Sequence, residues 1–98
     1  MSSAPHVVLG ATGGAGRAVV RELVGRGHPV RAVSRSMGDD LKGAEGVAVD
    51  CTDPTAARRA CEDAAVVYNC LNVPYSQWAE ILPVLTENSI RAAAHADA

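Results

Sequence analysis

The chain has no apolar run longer than Ala64 to Tyr68, far short of the ~20 residues that a membrane-spanning helix needs. Its first residues, MSSAPH, lack the charged-then-apolar pattern of a secretory signal. Cysteine is scarce: Cys51, Cys61 and Cys70 are odd in number and have no C-x-x-C spacing, so a reducing, cytoplasmic setting is expected. His6, His28 and His95 are scattered without metal-ligand spacing, and no metal site is expected. Lysine is scarcer still. The single one, Lys42, follows Leu41, which rules out the G-x-x-x-x-G-K-[ST] loop of a P-loop nucleotidase. With 9 basic and 11 acidic residues the formal net charge is only -2, so nothing draws the chain to nucleic acid or to an anionic membrane. At 98 residues, 48% of them apolar and 20% charged, the sequence has the make-up of one ordinary globular domain.

Glycine is what the chain has in one place. The stretch HVVLGATGGAGRAVVRELVGRG, His6 to Gly27, holds six of its 9 glycines. His6 to Leu9 is a short apolar run that stops at Gly10, as a strand buried on both faces would. From Ala15 to Arg26, apolar Ala15, Ala18, Val19, Leu23 and Val24 recur at helical steps, and Gly25, Gly27 and Pro29 supply the stop. Val30 to Ser34 reads as a second strand, Ser36 to Gly46 as a loop, and Val47 to Asp50 as a third, short strand. Thr52, Asp53 and Pro54 open a helix expected to reach Glu62 or Asp63. Ala65 to Cys70 is a fourth strand. After a turn at Val73 to Tyr75 the chain is helical from Ser76 to Ala96, with Trp78, Ile81, Leu82 and Leu85 as a core stripe and Pro83 expected to split or kink it.

Strands alternating with helices predict an α/β fold, a partial Rossmann fold with a parallel sheet of four strands in the order 3-2-1-4. Right-handed crossovers then put the first helix on one face and the later two on the other. In such a sheet ligands bind beyond the carboxyl end of the first strand, which is where Gly10, Gly13, Gly14 and Gly16 fall. By analogy with dinucleotide turns, Gly10 permits the turn off the strand, Gly13 lets backbone approach a pyrophosphate, and Gly16 lets the helix pack close. The helix N-terminus would hold the negative charge, with the Thr12 hydroxyl beside it. The same letters would also serve a tight turn with no ligand.

The run GATGGAG, Gly10 to Gly16, resembles the turn of the short-chain dehydrogenase/reductase superfamily, in its extended and atypical branches, which include the NAD-dependent epimerases and dehydratases. Three further stretches resemble the same family: VRAVSRS (30–36), VAVDCTDP (47–54) and NCLNVPYSQW (69–78). The resemblance implies an NAD(P)-binding domain over residues 1–98. It places Asp50 against the adenine amino group, with Cys51 beside it, and Leu71 in the segment that passes the nicotinamide ribose. Arg35, flanked by Ser34, stands where NAD-specific relatives carry an acid, so NADP is expected, with NAD as the alternative.

The resemblance also implies a catalytic Tyr-x-x-x-Lys pair, which this sequence does not contain: Tyr68 is followed four residues on by Asn72, and Tyr75 by Ala79. No catalytic residue is therefore assigned. The expectation is a truncated dinucleotide-binding domain that binds without turnover. A dinucleotide-sensing regulator, like the nitrogen-metabolite-repression branch of the superfamily, and a non-functional remnant are the alternatives. Self-association is expected through the open edge of the fourth strand, beside Val66, Val67 and Tyr68.

Overall fold

The computed structural model describes residues 4–36, 41–72 and 75–98. Its elements are β1 (His6–Leu9), α1 (Gly14–Gly25), β2 (Val30–Ser34), β3 (Ala44–Ala48), α2 (Pro54–Ala60), β4 (Val66–Asn69), a single 3₁₀ turn (Tyr75–Gln77) and α3 (Trp78–His95). The four strands form one parallel sheet in the order β3-β2-β1-β4, the order expected. Among the described residues no helix is long and apolar enough to cross a membrane.

The alternation of side chains along β1 builds two apolar layers. Val7 and Leu9 join Val33, Cys51, Ala57, Cys61, Leu85 and Ala92 beneath α2 and α3. Val8, on the opposite face, packs with Ala11, Val20, Leu23, Val30 and Ala32 beneath α1. Helices thus cover both faces, as right-handed crossovers require. Val7, Val8, Leu9 and Val33 are fully buried, each adding roughly 1.5–3 kcal/mol relative to exposure.

The edge strand departs from expectation. β3 runs from Ala44 to Ala48, earlier in the chain than the predicted Val47 to Asp50. Its ladder aligns Arg31 with Glu45, and the Arg31 Nε donates to the Glu45 carboxylate at 3.0 Å. Glu45 and Gly46 are exposed and weak strand formers, so composition hides the start of this edge strand. The apolar signal at Val47 and Val49 is real, since both pack against the α2 and α3 layer. Of the loop expected over Ser36 to Gly46, residues 37–40 lie outside the described residues, as do 73 and 74 of the proline turn.

Asp53 caps α2 as expected, accepting from the Thr55 amide at 2.9 Å, with Pro54 in the first helical turn. The helix stops earlier than Glu62 because Asp63 takes a left-handed conformation (φ 61°), and the Arg31 guanidinium collects the Ala60 and Glu62 carbonyls at 2.8 and 3.0 Å. Pro83 does not split α3: the helix runs unbroken through it, because both Pro83 and Ala79, whose carbonyl loses its amide partner, are exposed to water. Trp78 is 44% exposed and not core, whereas Leu85 is buried.

Candidate functional site

The turn between β1 and α1 is shaped by two glycines. Gly10 has φ +81°, and a Cβ there would lie 2.5 Å from the Cys70 carbonyl oxygen, so β1 and the chain leaving β4 cross without room for a side chain. The Gly10 and Ala11 amides both donate to the Val33 carbonyl, at 2.8 and 3.0 Å, which ties the turn to β2. A Cβ on Gly16 would lie 2.0 Å from the Gly10 carbonyl oxygen, so the first turn of α1 rests directly on the loop that precedes it.

Gly13 and Gly14 differ from these. A Cβ on Gly14 would meet nothing within 4 Å, and one on Gly13 only the Gly10 carbonyl at 3.6 Å. Gly13 is the N-cap of α1, no side chain caps that end, and no acid stands in the first turn. The positive end of the helix dipole is therefore left open, with bare backbone in front of it. Arg17 Nε donates to the Thr12 carbonyl at 2.9 Å and holds the loop from behind.

Beside this opening the Thr12 and Ser34 hydroxyls lie 2.8 Å apart. Ser34 Oγ donates onward to the Ser36 carbonyl at 3.3 Å, which leaves Thr12 as the donor to Ser34. That bridge joins the glycine turn to the end of β2, where Arg35 projects, exposed. Across the opening, Asp50 Oδ1 accepts from the Thr52 amide at 2.9 Å and from the Thr52 hydroxyl at 2.7 Å. The Thr52 amide, then its hydroxyl, hold the Asp50 carboxyl below the usual carboxylate range, and the Arg35 charge helps. Burial, with smaller contributions from Cys61 and Asp50, pushes the Cys51 thiol up to about 11, so at neutral pH it is a protonated packing group. Burial also raises the Cys70 thiol.

These groups surround a cleft of about 340 Å³ at the carboxyl ends of the strands. Of the residues singled out from the sequence, Gly10, Thr12, Gly13, Ser34, Arg35, Asp50, Cys51 and Leu71 line it. Gly14 and Gly16 do not: Gly14 stands at the open helix end, and Gly16 lies behind the loop. Asp50 falls beyond β3, in the loop that leads to α2, not in the strand. Sequence reasoning missed Thr52, Asn72 and Gln77, polar residues that also line the cleft. It also missed Asn88, whose side-chain amide donates to the Cys51 and Thr52 carbonyls. The signal for Asn88 was its place one turn beyond Leu85 on the inward face of the helix. Tyr68 is on the α1 face of the sheet, its hydroxyl 3.1 Å from His6 Nδ1, and does not line the cleft. Among the described residues no three His, Cys, Asp or Glu side chains converge as a metal site would need.

Residues 10–98 match the sequence profile of a family described as NAD(P)H-binding. The chain belongs to this NAD(P)H-binding family. No curated protein sequence matches it. Among solved structures it is similar to the glucuronic acid dehydrogenase of Chromohalobacter salexigens, at 25% identity over 92% of this chain and 36% of that one, TM-score 0.74. It shares the fold of the UDP-N-acetylglucosamine 4-epimerase of Bacillus cereus, at 23% identity over 96% of this chain and 32% of that one, TM-score 0.78. The same fold recurs in MoeE5, solved with UDP-glucuronic acid and NAD, at 23% identity over 94% of this chain and 33% of that one, TM-score 0.77. The chain spans about a third of the length of these proteins. Its four-stranded parallel sheet and helices are thus the fold of an NAD(P)-binding domain, shared with dehydrogenases and an epimerase.

Proposed function

We propose that the cleft holds NADP in preference to NAD, and that the chain is the dinucleotide-binding part of an epimerase- or dehydrogenase-type oxidoreductase. The observation that carries the choice of cofactor is Arg35. It lines the cleft at the end of β2, where a carboxylate would accept hydrogen bonds from a ribose 2′-hydroxyl and repel a 2′-phosphate. A guanidinium offers a planar fork of donors that suits a phosphate, and the Ser34 hydroxyl beside it adds polarity to the same wall.

The residues present fit the rest of the cofactor. The uncapped start of α1, with open backbone at Gly13 and Gly14, suits the pyrophosphate. The Asp50 carboxylate, ionised and oriented by Thr52, suits the adenine amino group, and Leu71 with Asn72 forms the wall toward the nicotinamide side. When bound, the dinucleotide supplies hydride transfer to or from a carbonyl or sugar carbon. This chain's residues bind and orient it. The sequence carries no Tyr-x-x-x-Lys pair, which keeps a second reading, a dinucleotide sensor without turnover.

Calorimetric titration of the wild type and of Arg35→Ala with both cofactors tests the proposal. A hydrogen bond to a charged group is worth roughly 1.5–3 kcal/mol, so NADP affinity should fall about tenfold to a hundredfold, toward the lower figure because Arg35 is exposed. NAD affinity should barely change. Equal losses for the two would assign Arg35 to the pyrophosphate or the fold and remove the case for NADP. Turnover by the wild type with NADPH and a panel of carbonyl and sugar substrates would remove the sensor reading.

A further inference from the structure

Asn88 is 8% exposed on the inward face of α3, between Leu85 and Ala92. Its side-chain nitrogen donates to two successive carbonyls of the loop between β3 and α2: Cys51 at 2.8 Å and Thr52 at 3.1 Å. The two amide hydrogens thus meet two acceptors. That loop carries Asp50, Cys51 and Thr52 into the cleft, while Asn88 itself does not line it.

The Cys51 side chain packs in the apolar layer beneath α2 and α3, but the backbone of the loop has few hydrogen bonds to the rest of the fold. It leaves an edge strand, and its last tie to the sheet is the Val49 amide donating to the Ser34 carbonyl at 2.9 Å. The bonds from Thr52 to Asp50, and from the Asp53 amide to the Asp50 carbonyl at 3.1 Å, are local. They set the shape of the loop without setting its place relative to the glycine turn. The bonds from Asn88 span more than thirty residues of sequence. They come from the helix whose Ile81 and Leu85 side chains also form part of the cleft wall.

We propose that Asn88 is the positioning residue of the adenine side of the cleft: by pinning the Cys51 and Thr52 carbonyls to α3 it sets where the Asp50 carboxylate meets the bound dinucleotide. This rests on the dinucleotide reading of the cleft. Asn88 lies outside the cleft lining and acts through the loop. Leucine at this position, of similar shape, offers no donor. Aspartate offers none while ionised and one when protonated.

The test is titration of the wild type, Asn88→Ala and Asn88→Asp with NADP and with AMP, alongside thermal melts of each. At pH 7.5 both variants should bind NADP and AMP about tenfold more weakly than the wild type, an amount equal to ~1.4 kcal/mol. As pH falls toward 5, the ratio of Asn88→Asp to wild-type affinity should recover while that of Asn88→Ala stays flat, because a protonated carboxyl regains one donor. In an Asp50→Ala background the Asn88→Ala change should cost less than half as much, since the group it positions is gone. Should Asn88→Ala fail to fold, Asn88→Ser, which keeps one donor, takes its place in the same comparison. Folded variants that bind like the wild type would overturn the proposal. So would losses that are unchanged by pH in Asn88→Asp and unchanged in the Asp50→Ala background. A wild-type chain that binds neither NADP nor NAD would overturn the dinucleotide reading itself, and this proposal with it.

Discussion

Two alanine substitutions, two residues apart at the start of α1, should move stability in opposite directions. At Gly16 a Cβ would lie 2.0 Å from the Gly10 carbonyl oxygen and 2.8 Å from the Ala11 Cα, where real Cβ atoms keep at least 3.0 Å. Both neighbours are backbone, in a turn held by two hydrogen bonds from its amides to the Val33 carbonyl, so neither yields cheaply. Overpacking of this kind costs roughly 1–3 kcal/mol, against the 0.5–1 kcal/mol or so that alanine gains over glycine in a helix. A clash with backbone atoms that cannot move aside belongs at the upper end of that cost, and the net loss of about 1–2 kcal/mol is a large part of the stability of so small a domain. With about 4–8 °C per kcal/mol for a domain of this size, Gly16→Ala should lower Tm by roughly 5–15 °C. At Gly14 nothing lies within 4 Å of the added atom, and the helical gain stands alone. Gly14→Ala should therefore raise Tm by a few degrees, on the order of 0.4–1 kcal/mol. Differential scanning calorimetry of the three proteins reads both effects. A Gly16→Ala protein that melts at or above the wild type would refute the close seating of α1 on its own turn.

Three further outcomes are expected. His6 lies 4.2 Å, ring to ring, from His28, and burial, then the His28 charge, lowers its pKa from 6.5. Because the unfolded chain takes up this proton first as pH falls, the contribution of neutral His6 is intact above about 6.5 and is lost as pH drops through the folded value, so urea midpoints should fall between pH 7.5 and 5 and His6→Gln should flatten that slope. An unchanged slope would exclude His6. Asp53→Ala removes the α2 cap and should cost about 1 kcal/mol in chemical denaturation, while Asp53→Asn should cost little; equal losses would mean that charge, not capping, matters there. β4 stands at the sheet edge with Val66 38% exposed, so light scattering over a concentration series should show association of the chain, and a monomer at high concentration would refute pairing through that edge.

The sequence by itself determined the elements whose causes are local. β1 and β2 have the expected bounds because short apolar runs end at glycine or at polar residues, and Asp53 with Pro54 starts α2 because capping needs only neighbours. The strand order is the one expected from likeness to a Rossmann fold, and eight of the ten residues singled out do line one cleft. What only the tertiary structure decided are pairings between distant residues. The start of β3 depends on alignment with β2, where Arg31 meets Glu45, and no periodicity within residues 44–48 encodes that partner. Pro83 is tolerated because its surroundings are water, and Trp78 stays exposed because nothing among the described residues covers it enough to bury it. The anchoring of the Asp50 loop by Asn88 is the clearest case. A lone asparagine in a helix reads as a solvated residue until the fold buries it and brings two carbonyls from more than thirty residues away within reach of its amide.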